Sequence, residues 1–328
     1  MKVSSDTPVV SIIILCYNQE NIIGRAIESV LLQTYKNIQL VIVDDCSKDN
    51  SRQVIENWAQ KYPEKIKTFF QPSNAGHPAN MNTGYKLCDG ELITFCDGDD
   101  WLFPKSVETQ VDFLKNNPDY DLVFTNFSYH DIEGKFIKVW AGQYEKIPSG
   151  DIFTDLFSLN YPESVHPHFE MTSKKIIEET GFYDESIPIW VDWDFRLRLA
   201  AKYKCGYCSY VGNAYTIHPG GLTSTLKKEV YLSNLIKVIE KNKHGLDRYP
   251  STLRKKVLKK INMPVEKLTL AVNLFNGRNS FFKTLGFLSR YPDQIRDLRF
   301  VINSMFGKKL MGTLSAVKQK LLKSVPAK

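Results

Sequence analysis

No stretch of 18 apolar residues occurs in this 328-residue chain, which leaves no candidate for a membrane-spanning helix. Met1 to Pro8 is polar, so no basic-then-apolar secretory leader is read there. Cysteine is sparse, with six residues scattered at 16, 46, 88, 96, 205 and 208, four of them beside or within expected strands. That usage argues against a disulfide framework and for a reducing, cytoplasmic compartment, where buried thiols act as small apolar residues. Cys205-Gly-Tyr-Cys208 has C-x-x-C spacing, but neither a second pair nor a thioredoxin-like setting accompanies it, which argues against zinc or redox work.

The charge that is present is unevenly spread. Residues 1–225 carry 20 Lys and Arg against 30 Asp and Glu, whereas residues 226–328 carry 23 against 6. An acidic body followed by a basic tail implies two regions, 1–225 and 226–328, with separate tasks. Within the first, apolar β-branched runs alternate with amphipathic patterns. Val9 to Leu15, Leu40 to Val43, Ile66 to Phe70 and Leu92 to Cys96 read as buried strands. Ile22, Ile23, Ala26, Ile27, Val30 and Leu31 recur at helical spacing, Ser51 is placed to cap a helix through Lys61, and Pro78 suits the first turn of a third. Strand–helix alternation predicts an α/β fold with a mostly parallel sheet flanked by helices.

Chemistry concentrates at the end of the fourth strand, in Asp97-Gly98-Asp99-Asp100. Ligands of open α/β sheets bind beyond the carboxyl ends of the strands, so these carboxylates are expected at a cleft mouth. Packed this closely they raise one another's pKa unless a cation neutralises them, and a divalent ion sharing one or two carboxylates with substrate phosphates would do so. An acidic strand-end turn with no ligand is the plainer alternative. Tyr17 and Glu20 end strand one and offer a ring face and a carboxylate; Asp44 and Asp45 end strand two and can accept from a base imide and a ribose hydroxyl. Asp44 and Asp45 also suit a helix N-terminus, and Asn74 and Asn82 suit turns and caps as well as donor contact.

Ser11-Ile-Ile-Ile-Leu-Cys-Tyr-Asn18, Val43-Asp-Asp-Cys-Ser-Lys-Asp49, Asn74-Ala-Gly-x-x-x-Ala-x-Asn82 and Phe95-Cys-Asp-Gly-Asp-Asp-Trp101 resemble, in order and spacing, the successive motifs of family 2 glycosyltransferases. The resemblance implies a nucleotide-binding domain of the GT-A type and an inverting transfer from a nucleotide-sugar donor, UDP-linked by family frequency. It assigns nucleotide binding to Tyr17, Glu20, Asp45 and Asp97, and a bridging Mn²⁺ or Mg²⁺ to Asp99. Two later stretches extend it. Trp190-Val-Asp-Trp-Asp-Phe-Arg196 is similar to the family's E-D-x-D segment, where Asp192 would be the base that takes the acceptor proton. Val191 stands where the family has Glu, and the alternative for Asp192 is a helix N-cap. Tyr215-Thr-Ile-His218 resembles the closing R-x-H segment, with Thr216 in place of Arg; His218 would join Asp99 on the metal. His166 and His168 sit in a polar loop as candidate acceptor contacts or ordinary loop residues, and Gly220 and Gly221 suggest a loop that closes over the donor.

From Leu226 the chain reads as basic amphipathic helices broken near Gly245, Pro264, Gly277 and Pro292, with Val230, Leu232, Leu235, Ile236 and Ile239 forming one stripe. Arg254 to Lys260, Phe281 to Leu288 and Leu310 to Leu322 continue the pattern. Such helices suit an anionic membrane surface, which would bring the cleft near a glycan or lipid-linked acceptor; packing on the body, or on a second copy in a homo-oligomer, is the alternative. No nucleic-acid motif accompanies the charge. Two other function classes are a catalytically silent scaffold of a glycan assembly and a sugar-phosphate nucleotidyltransferase. Cys16 to Ile23 contains no glycine, which argues against the phosphate loop of the latter.

Overall fold

The structure is a computed structural model that describes residues 7–143, 145–162, 165, 167–218, 227–275 and 281–291. His166, Gly220, Gly221, Gly277, Pro292 and Leu310 to Leu322, all named above, lie outside the described residues. Two compact units make up the chain: Met1–Thr225 with Lys237–Arg248, and Leu226–Ile236 with Tyr249–Lys328.

In the first unit, β1 (Val10–Cys16), β2 (Ile38–Asp44), β3 (Ile66–Phe70) and β4 (Leu92–Asp97) pair in parallel in the order β3-β2-β1-β4. Every residue of β1 is buried, as expected for a strand with neighbours on both edges and helices on both faces. The intervening helices are α1 (Ile23–Leu31), α2 (Ser51–Lys61) and α3 (His77–Leu87). Helix α1 buries Ile23, Ala26, Ile27 and Val30, the stripe its spacing predicts. Ser51 is the first helical residue of α2 rather than its cap. Its hydroxyl donates to Asp49 and accepts from the Gln19 N–H, so the loop after β1 consumes it.

The sheet continues beyond β4 with mixed polarity. A short strand, β5 (Trp101–Leu102), and α4 (Ser106–Asn116) lead to β6 (Leu122–His130), which pairs with the hairpin strand β7 (Phe136–Val139). After α5 (Phe153–Phe157), β8 (Met171–Ser173) joins β4 to β6 by antiparallel pairs. Helices α6 (Lys174–Thr180) and α7 (Val191–Ala200) precede β9 (Cys205–Thr216), which runs parallel to β6 and antiparallel to β5. This is the mixed α/β architecture that the strand–helix alternation predicts, and β4 carries the acidic turn at its carboxyl end.

The described part of the basic region is helical: α8 (Lys228–Asn242), a 3-10 turn (Lys243–Arg248), α9 (Ser251–Phe275) and α10 (Phe281–Arg290). Two expectations are corrected here. Pro264 does not break the chain but lies inside α9, because buried Val257, Ile261 and Leu270 continue the apolar stripe on both sides, and their burial outweighs the lost backbone bond. The α8 stripe is also narrower than expected, since Leu232, Leu235 and Ile239 are buried while Val230 and Ile236 are exposed. Among the described residues no helix is long and apolar enough to cross a membrane.

Part of the tail's charge is spent within the first unit. Lys241 Nζ donates to Asp184 at 2.7 Å and to fully buried Asp194 at 3.0 Å, and Asn242 adds a bond to Asp194 at 2.9 Å. Arg248 reaches Asp151 at 2.9 Å.

Candidate active site

The acidic turn depends on Gly98. A Cβ there would meet the Leu15 carbonyl oxygen at 2.6 Å and Gln19 Oε1 at 2.1 Å, so only a glycine lets the turn after β4 lie against the end of β1. Trp101 then stacks under the Arg25 guanidinium, 4.0 Å from its ring centre. Arg25 Nη2 donates to the Asp99 carbonyl at 3.0 Å, and the Thr216 hydroxyl donates to the same oxygen. The Thr216 N–H donates to Asp100 Oδ1 at 2.7 Å. Thr216, standing where an arginine was expected, is therefore a strut for the turn.

The three carboxylates differ in environment. Asp100 is buried; burial, then Asp99 and Asp97, push its carboxyl well above the ordinary range. Burial, then Asp99 and Asp192, push Asp97 up to about 7, against the pull of Arg196. Asp99 is partly open, and its Oδ2 lies 2.9 Å from His218 Nε2. A carboxylate and an imidazole are a donor set that Mn²⁺ and Mg²⁺ accept. Among the described residues no group of three or more His, Cys, Asp and Glu forms a metal cage. The fit is that of an ion whose remaining ligands come from a bound substrate, at a point where burial and crowded negative charge already raise Asp97.

At the other strand ends, Tyr17 is 45% exposed. Glu20 accepts from the Asn50 backbone N–H at 2.8 Å and from its side chain at 2.7 Å. Asp44 is turned into its own loop, accepting from the Ser47 N–H and hydroxyl. Asp45 accepts from the N–H groups of Ala75 at 2.7 Å and Gly76 at 3.0 Å, which fixes the loop before α3. Asn74 is exposed and donates weakly, at 3.3 Å, to the Asp45 carbonyl. Asn82 is buried and exchanges bonds with the Tyr183 backbone at 3.0 and 2.8 Å, so its amide brackets the chain ahead of α7. Asp44 and Asn82 spend their polar atoms on protein, while Tyr17 and Asn74 are exposed.

Asp192 is the second residue of α7. The residue at the cap position is Trp190, in the left-handed region at φ 65°, so Asp192 is not the N-cap. Arg196, one turn on, donates to Asp192 Oδ2 at 2.8 Å and through Nε to Glu170 Oε2 at 2.9 Å. Glu170 sits between two small cavities, one walled by Leu122, Phe124, Ile152 and Leu156, the other by Ile93, Phe95, Ile177 and Phe195. Burying a carboxylate in such apolar walls is costly without a counter-charge, and Arg196 supplies one. Asp194 faces away from Asp192 and pairs with Arg198 at 3.0 Å.

Electrostatic reach shows which groups share a space. Asp97 feels both Asp99 and Asp192. The Tyr215 hydroxyl, raised first by burial, feels Asp100, Asp97, Asp99 and Asp192. The His77 imidazole, whose pKa burial lowers first, feels Asp192, Arg196, Asp45 and Asp99. The turn after β4, the start of α3 and the start of α7 therefore lie within electrostatic reach of one another. His168 packs among Phe127, Phe169 and Tyr215, with ring centres 5.5 to 6.1 Å apart. Sequence reasoning missed Arg25, His77 and Glu170, whose roles arise only when distant segments meet.

A family model described as glycosyl transferase family 2 matches residues 11–181, more than half of the chain. This chain belongs to that family. Among curated relatives, an uncharacterised glycosyltransferase of Haemophilus influenzae is 39% identical over 134 residues, 40% of this chain and 52% of the relative. One from Rickettsia typhi is 32% identical over 211 residues, 62% of this chain and 63% of the relative. The chain thus spans less than two thirds of the length of these relatives. Among solved structures, the 1–349 portion of S. aureus TarS aligns with a TM-score of 0.59 at 16% identity, covering 90% of this chain and 81% of that portion. The mannosyltransferase PcManGT of Pyrobaculum calidifontis, solved with GDP-Man and Mn²⁺, aligns at 0.59 with 15% identity, covering 92% and 86%. TarS has also been solved with UDP-GlcNAc, at a TM-score of 0.56, 16% identity and 90% coverage of each chain. At these identities the likeness is one of fold.

Proposed function

We propose that the chain is an inverting glycosyltransferase that moves a sugar from a nucleotide-sugar donor to a hydroxyl of a glycan or lipid-linked acceptor. The observation that supports this reading is that Asp99, which pairs with His218, and Asp192, which pairs with Arg196, both act on Asp97. Tyr17 offers a face for the base, and the ends of β1 and β2 offer acceptors for the nucleoside. Asp192, partly open, takes the proton of the acceptor hydroxyl as that oxygen attacks the anomeric carbon. The bond from that carbon to the diphosphate oxygen breaks, and its electron pair leaves with the nucleoside diphosphate. Arg196 holds the base in one orientation through the 2.8 Å bond. Asp99 and His218 would hold Mn²⁺ or Mg²⁺, which when bound supplies Lewis-acid stabilisation to the leaving diphosphate.

Thermal-shift and product-release assays with UDP-GlcNAc, UDP-glucose and GDP-mannose, each with Mn²⁺, test the reading. At least one donor is expected to raise the melting temperature and to yield its nucleoside diphosphate. The absence of both effects with every donor would contradict it.

The placement we propose is cytoplasmic, with the second unit on an anionic membrane surface. Lys255, Lys256, Lys259 and Lys260 of α9 are exposed, and each basic group near anionic lipid contributes roughly 1 kcal/mol. In flotation, the full chain is expected to rise with phosphatidylserine vesicles at low salt and to be released by high salt. Failure to float at low salt rejects this placement, and dimerisation in the same sample would favour a second copy as the partner.

A further inference from the structure

His77 carries the next inference, which rests on the nucleotide-sugar reading above. Its position is fixed from both sides. Gly76, at φ 84°, turns the chain into α3, and the Asp45 carboxylate grips the N–H groups of Ala75 and Gly76 immediately ahead of it. The imidazole lies against Tyr183, with ring centres 6.0 Å apart, and Tyr183 is in turn held by Asn82 and packed on Phe195 at 5.1 Å. The ring is therefore rigidly placed yet only half-buried. Among the described residues its nitrogens make no hydrogen bond to protein.

Two contacts place it. His77 follows directly on the N–H groups held by Asp45, on the nucleoside side, and its ring lies against Tyr183, ahead of the helix that carries Asp192 and Arg196. The charges of Asp192, Arg196, Asp45 and Asp99 all reach it. In an inverting transfer, the anomeric carbon of the sugar lies between the leaving diphosphate oxygen and the attacking hydroxyl. A rigid side chain between these two sets of residues faces the transferred sugar. Its chemistry suits that partner, because a neutral imidazole offers one N–H donor and one nitrogen acceptor, and a sugar hydroxyl both donates and accepts. Burial favours that neutral form. We propose that His77 recognises the transferred sugar by hydrogen bonding to one of its hydroxyls, and so helps to determine which donor is used.

The test compares binding of a sugar nucleotide with binding of the same nucleoside diphosphate lacking the sugar. Calorimetric titrations with Mn²⁺ would use UDP-GlcNAc against UDP, and GDP-mannose against GDP. His77→Ala is expected to weaken the sugar nucleotide about tenfold, the effect of one lost hydrogen bond, and to leave the bare diphosphate within about twofold. His77→Gln, which keeps a donor and an acceptor, is expected to recover part of the loss; it also serves if the alanine variant folds poorly. Retained diphosphate binding reports an intact nucleotide site. Equal weakening of both ligands would show that His77 only packs α3, and no weakening of either would show that it faces nothing; both outcomes overturn the proposal. A wild-type protein that binds neither sugar nucleotides nor diphosphates would instead overturn the donor reading on which it rests.

Discussion

Asp192→Asn is expected to lower turnover by about 10²- to 10⁴-fold, the usual contribution of a general base, while donor affinity stays within about twofold. The amide has the shape of the carboxylate, and its oxygen can still accept from Arg196 Nη1, which now donates at 2.8 Å. What it cannot do is take a proton. The split between lost turnover and retained binding is the informative result, because donor recognition is assigned to other strand ends. Steady-state kinetics with the best donor, beside a titration of that donor, would measure it. Turnover within tenfold of wild type would move the base elsewhere in the cleft.

The second large effect is on stability. Arg196→Met is expected to cost about 3–5 kcal/mol, because it removes the counter-charge of a buried carboxylate. Arg196 and Glu170 have side chains only 5% and 7% exposed, and Glu170 Oε1 has no hydrogen-bond partner among the described residues. Removing both charges together, in Glu170→Gln with Arg196→Met, is expected to return much of the loss, since no ion is then stranded in apolar walls. Urea unfolding of the wild type, both single variants and the double variant gives the coupling energy. A loss under about 1 kcal/mol for Arg196→Met would mean that Glu170 needs no guanidinium to stay where it is.

These two predictions draw on unequally legible parts of the sequence. The strand that ends at Asp97 and the turn through Asp100 could be read directly, because an apolar run, a glycine and three carboxylates are local facts. The opposite tasks of Asp192 and Asp194 were legible in principle. Residues two apart on a helix point to different sides, and each has an arginine four residues on. Asp192 with Arg196 lies within electrostatic reach of Asp97, whereas Asp194 with Arg198 faces away and takes Lys241 as well. Glu170 gave no such signal, since its meaning comes from Arg196, 26 residues later. Arg25 reads as the polar side of an amphipathic helix, and only its place over Trp101 makes it part of the acidic turn. Pro264 misled because a local penalty was weighed without the burial that flanks it on α9.

The basic tail teaches the same lesson about charge. Its excess over residues 226–328 looked available for an external anion. Lys241 and Arg248 instead pair with carboxylates of the first unit, and Lys241 with Ser186 draws the Asp184 carboxyl below its usual range despite burial. Net charge by segment cannot reveal that pairing. The membrane proposal stands on the exposed face of α9 that carries Lys255, Lys256 and Lys259.

The most direct test of one shared cleft is a crystal structure of Asp192→Asn with Mn²⁺ and an intact sugar nucleotide. The account predicts the diphosphate beside Asp99 and His218, with the anomeric carbon turned toward residue 192. A donor bound away from Asp99, or a sugar directed away from residue 192, would contradict it.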